Sequence, residues 1–168
     1  MRLIKLGLIS VVIFSAMIYI FSLFIPSRVR ISRAINIGLA KDSLSRYIGD
    51  MRSWPQWNDM VKQQDSLKGT FAERSYTGTS LKIDVLSVTP DSIRTRWQTG
   101  ASEPVFSGFN LVQSLSDTTV AQWYFDFQLK WYPWEKFGSI IFDKQLGPAM
   151  ESSLDNLRKN LEHSPFHP

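Results

Sequence analysis

From Leu6 to Ile25 the chain reads LGLISVVIFSAMIYIFSLFI, twenty residues without a charge. As a helix rising ~1.5 Å per residue, such a run covers the ~30 Å hydrocarbon core of a bilayer. Arg2 and Lys5 precede it, and Pro26, Arg28 and Arg30 follow. A cleaved signal peptide has an apolar region of only ~7–15 residues ending in a small-x-small site, whereas this run ends in Phe24-Ile25-Pro26. Ser10, Ser15 and Ser22 do not form a polar face, which argues against a helix buried in a soluble core. The expectation is therefore an uncleaved membrane anchor over residues 6–25. It divides the chain into an anchor with a short tail (1–26), a domain (27–163) and a C-terminal tail (164–168). Arg2 and Lys5 on one side nearly balance Arg28, Arg30 and Arg33 on the other, so the positive-inside rule leaves the side of the domain open.

The rest of the chain fits one globular domain: of 168 residues, 43% are hydrophobic and 20% charged. Of 19 basic residues, Arg2 and Lys5 lie before the apolar run, which leaves 17 against 15 acidic ones and gives no reason to expect nucleic acid. The chain has no cysteine, and its two histidines are His163 and His167 near the C-terminus. A disulfide framework and thiolate zinc are excluded, and neither a metal nor a cofactor is expected.

Periodicity supplies the elements. Val29, Ile31, Ile35 and Ile37 alternate, with Arg33 on the same face, and read as a strand. Leu44, Tyr47, Ile48 and Met51 recur at helical spacing until Gly49-Asp50. Pro55 suits the first turn of a second short helix and pushes Trp54 out of the helical region. Leu81, Ile83 and Val85, then Ile93, Thr95 and Trp97, form a hairpin around Thr89-Pro90-Asp91-Ser92. Further strands run over 104–115 and 118–130, the latter with Ala121, Trp123, Phe125, Phe127 and Leu129 on one face. Lys62 to Ser80 is polar and carries no clear strand pattern. From about Glu135 a helix shows a first apolar stripe of Phe137, Ile140 and Ile141. Gly147-Pro148 interrupts it before Met150, Leu154, Leu157 and Leu161 continue. The class is α+β, and the long helix is expected to bury its stripe on the apolar face of an antiparallel sheet.

That order resembles the START/Bet v 1-like (SRPBCC) superfamily, within it the polyketide cyclase/dehydrase-type proteins with an N-terminal membrane segment. The resemblance is carried by Ile31-Ser-Arg-Ala-Ile-Asn-Ile37, Tyr47-Ile48-x-Asp50 before Trp54-Pro55-x-Trp57, and Val85 five residues before Pro90. Thr119-x-Ala121-x-Trp123, and Gly147-Pro148 followed by Leu154, Leu157 and Glu162, add to it, so that it spans nearly all of 27–163. It implies a helix-grip fold: a curved antiparallel β-sheet wrapped around a long C-terminal α-helix, here preceded by one transmembrane helix. In the superfamily an apolar cavity between the two commonly holds lipids, sterols, polyketides or other hydrophobic small molecules.

The candidate ligand-binding residues are Trp57, Trp97, Phe109, Trp123 and Phe127, which either line such a cavity or fill a solid core. Arg33 among isoleucines either meets an anionic ligand group or pairs with an acid at a strand bend. No catalytic residue is assigned. Asp126 alternates away from the aromatic face, Glu103 falls in a loop, and His163 lies at a fraying end. Trp131-Tyr-Pro-Trp134 either rims the cavity mouth, sits at headgroup depth, or packs a loop. The leading expectation is a membrane-anchored domain binding a hydrophobic small molecule or lipid, with the membrane engaged through residues 6–25 and protein partners unknown. A cyclase- or hydrolase-type enzyme and a solid-core interaction protein are the alternatives, and the weight leans away from an enzyme.

Overall fold

A computed structural model describes residues 2–65, 69–115 and 117–162, so His163 and the tail 164–168 lie outside the described residues. The chain begins with helix α1 (Arg2–Phe24), whose Ile4–Phe24 segment is long and apolar enough to cross a membrane. After Pro26 comes strand β1 (Arg28–Ile37), then α2 (Lys41–Gly49), a tight turn of helix over Met51–Ser53, α3 (Trp54–Trp57) and α4 (Asp59–Asp65). Six strands follow: β2 (Thr70–Phe71), β3 (Ser75–Thr77), β4 (Leu81–Val88), β5 (Ser92–Thr99), β6 (Val105–Leu115) and β7 (Thr118–Gln128). Helix α5 (Pro133–Glu162) closes the chain.

The seven strands form one antiparallel sheet in the order β1-β7-β6-β5-β4-β3-β2. Its inward face carries the alternating residues expected from the sequence: Ile31 and Ile37 on β1, Ile83 on β4, Ile93 and Trp97 on β5, Phe109 and Leu111 on β6, and Ala121, Trp123 and Phe125 on β7, all buried. The polar stretch 62–80 supplies the end of α4 and the two shortest strands. Tyr76 anchors them by burying its ring against Phe71, 4.5 Å between centroids.

Three local expectations are corrected. Pro55 does not push Trp54 out of the helical region: Trp54 has φ −61° and ψ −35°, and the turn before it runs directly into α3. Burial decides against the local preference, because this conformation drops the indole into the core and lets its Nε1–H donate to the Ile48 carbonyl at 2.8 Å. Gly147-Pro148 does not split the last helix in two, since α5 runs through Pro148 to Glu162. Finally, Phe137, Ile140 and Ile141 do not bury against the sheet. They are 39%, 63% and 52% exposed, while Lys136, Ser139 and Gly147 take the buried side of this half of α5.

Candidate functional site

Helix α3 is one turn long, yet it determines what occupies the concave face of the sheet. Its two tryptophans are fully buried and touch each other, with ring centroids 5.1 Å apart. Trp54 reaches Trp97 at 5.9 Å and Phe109 at 6.4 Å, and Trp57 reaches Phe109 and Trp123, both at 6.1 Å. Trp123 stacks on Phe109 at 5.2 Å with the planes 13° apart, and Phe125 closes the set 5.1 Å from Trp97. On its other side α3 packs against α5, so these rings stand between sheet and helix. Four of the five aromatic candidates, Trp57, Trp97, Phe109 and Trp123, thus meet in one cluster.

Indole N–H groups need acceptors when buried. Trp97 donates to Thr95 Oγ1 at 3.1 Å and Trp123 to Ser107 Oγ at 2.9 Å. Ser107 in turn donates to the Tyr124 carbonyl at 2.7 Å, and Thr95 to the Ser107 carbonyl at 3.2 Å. Thr95 and Ser107 are therefore polar positions on an apolar face because they hold the rings in place. Asn58, directly after Trp57, is different. Its Oδ1 accepts from the Val61 N–H at 3.2 Å, but its buried Nδ2 has no hydrogen-bond partner among the described residues.

The fifth aromatic candidate, Phe127, stands apart. It is half-buried, meets Phe142 of α5 at 4.9 Å and pairs with Val29 in the β1–β7 register; Val29, Phe142 and Leu146 are likewise partly buried against the core. Along the sheet, the aromatic face thus passes from fully buried under α3 to half-buried under the first half of α5. That end adjoins the exit of α1, because the Leu129 N–H donates to the Ser27 carbonyl at 2.9 Å.

Arg33 stands opposite Trp123 in the β1–β7 register, but its guanidinium turns to α5. Its guanidinium crosses α5 at Gly147 and pairs with Asp143 at 2.9 Å and Glu151 at 2.5 Å. Those three helix positions are four residues apart and form one row, and a Cβ at Gly147 would collide with the guanidinium. The Arg33 guanidinium is thus paired with two acids. The two acids raise the Arg33 pKa, and Arg33 lowers that of Asp143. Asp126 lies on the outer face, bidentate with Arg30 at 2.6 and 2.7 Å, and Arg30 stacks over Tyr124. A depression of about 460 Å³ opens at this end of β1 and β7, lined by Arg28, Val29, Arg30, Arg94, Phe106, Asp126, Phe127 and Gln128. Glu103 is exposed in the loop before β6.

Sequence reading missed Lys136. It is 6% exposed, and its Nζ donates to the carbonyls of Ser22 at 3.2 Å and Ile25 at 3.1 Å. It thereby satisfies carbonyls at the negative end of the α1 dipole. A lysine in an aromatic run carries no periodic signal for such a contact.

A family model described as polyketide cyclase / dehydrase and lipid transport matches residues 28–162. No curated protein matches the chain. Solved structures of the same fold include a START superfamily protein from Mycobacterium smegmatis, with TM-score 0.55 and 17% identity over 79% of this chain and 97% of that one. Protein XoxI from Bacillus cereus aligns with TM-score 0.56 and 10% identity over 82% and 99%. Norcoclaurine synthase from Thalictrum flavum, solved in complex with dopamine and hydroxybenzaldehyde, aligns with TM-score 0.53 and 13% identity over 82% and 88%. At such identities the likeness carries the fold alone. With its antiparallel sheet, its long closing helix and a family match over 28–162, the chain has the START-like helix-grip fold and belongs to the polyketide cyclase / dehydrase and lipid transport family.

Proposed function

We propose that the chain is a membrane-anchored domain that binds a hydrophobic small molecule or lipid between sheet and α5. The observation that carries this reading is the half-buried apolar end of the interior, Val29, Phe127, Phe142 and Leu146, next to the point where α1 leaves the domain. An anchor holds such a domain where a poorly soluble ligand is concentrated. A ligand entering there would meet Phe127 first and Trp123, Phe109, Trp97 and Trp57 further in. The unpartnered Asn58 Nδ2 supplies one buried donor for a polar group. In this reading Arg33 keeps its acids and latches α5 to β1 rather than touching the ligand.

The mutual packing of the six rings favours a second reading, a solid-core domain tethered to the membrane that acts through a protein partner. An enzyme would need an inward group able to move a proton. The hydroxyls bonded to the rings, Thr95, Ser107 and Ser53, are engaged with indole N–H groups. Native mass spectrometry of the full chain released from detergent separates the readings. Binding predicts an added mass of a co-purified lipid or small molecule that is lost in Phe127→Asp. A bare chain mass from several expression hosts supports the solid core.

A further inference from the structure

The surface around the start of α5 is apolar, aromatic and uncovered. Trp131 and Trp134 are 65% and 69% exposed, and Phe137, Ile140 and Ile141 extend the patch along the helix. Positions 134, 137 and 141 follow one another by three and four residues and so share a helix face. Contiguous exposed apolar surface of this kind marks an interaction site. Its occupant is indicated by what it continues. Trp131 packs edge-on against Tyr19 of α1, 6.5 Å between centroids. Tyr19 lies five residues before the end of α1 at Phe24, which places that contact about 7.5 Å back along the helix axis. Buried Lys136 ties the same turn of α5 to the last carbonyls of α1. The patch is therefore fixed beside the last turns of the apolar helix, at the depth where Trp and Tyr rings settle between headgroups and acyl chains. Exposed Lys130 and Lys144 flank it, as suits an anionic leaflet.

We propose that the face formed by Trp131, Trp134, Phe137, Ile140 and Ile141 is a membrane-docking surface, which lays the first half of α5 in the bilayer interface. This rests on reading α1 as a membrane span. Because the chain has no cysteine, single nitroxide labels can be placed on the full protein in phosphatidylcholine/phosphatidylglycerol vesicles. Val12→Cys reports the span, Ile140→Cys the proposed face, and Asp117→Cys the β6–β7 turn as the exposed reference; all three positions are exposed, so the core is untouched. The expected result is an oxygen-to-nickel-chelate accessibility ratio several-fold higher at Ile140 than at Asp117, and higher again at Val12. A lipid-exposed Val12 with Ile140 as wet as Asp117 overturns the docking surface and leaves the span intact. A wet Val12 with Ile140 in lipid overturns the span and keeps the docking surface. Water exposure at both overturns both.

Discussion

The positions that decide the interior are few, and each makes a measurable statement. Trp57→Ala removes a fully buried ring touching three others, and should cost about 3–5 kcal/mol in chemical denaturation if the ring is core. A much smaller loss accompanied by a lost ligand would mark it as a lid. Ser107→Ala strands the Trp123 indole N–H and should cost about 1–3 kcal/mol, although it removes a single oxygen. The aromatic face of β7 was legible because alternation over eleven residues is a strong signal. Thr95 and Ser107 as ring holders were not, because their partners lie on neighbouring strands or two residues away, and only the folded register brings the atoms together. The role of Arg33 was half legible. Its place on an apolar face showed in the alternation, but its acids lie more than a hundred residues along the chain.

At the scale of elements, the clasp of Arg33 on Asp143, Gly147 and Glu151 divides α5. Beyond it, Met150, Leu154 and Leu157 are buried in the core, whereas before it the helix is held by Phe142, Leu146 and Lys136. Gly147→Ala should displace the guanidinium and speed amide hydrogen exchange over 134–146 without comparable change over 150–160. The clasp also has an acid limit. Arg33 lowers the Asp143 pKa, so its contribution is fully present above the unfolded value of about 3.9 and is lost as pH falls through the lower folded value. Thermal melts should therefore show wild type above Asp143→Asn at neutral pH, with the difference shrinking once pH drops below about 4. The proline after Gly147 is expected from sequence to kink or restart the helix. The helix runs on because one missing donor is a local loss, while Phe142 and Leu146 before the proline and Met150, Leu154 and Leu157 after it all pack on the core.

For the molecule as a whole, sheet order and the long helix could be read from periodicity, because strand and helix repeats differ sharply. The attachment between α1 and the domain could not, since it depends on a buried lysine and on Tyr19 meeting Trp131, more than a hundred residues along the chain. Lys136→Met should free that attachment. Limited trypsin digestion of the full chain would then cut faster at Arg28 and Arg30, while the core melts little changed. Four of the six tryptophans are buried in one cluster and two stand outside on the same apolar surface. The cluster is close enough for its indoles to share excitation and should dominate the near-ultraviolet dichroism of the folded chain. Trp131 and Trp134 alone would shift their emission to the blue on adding vesicles. The protein thus carries two separate optical channels, one reporting its interior and the other its surroundings.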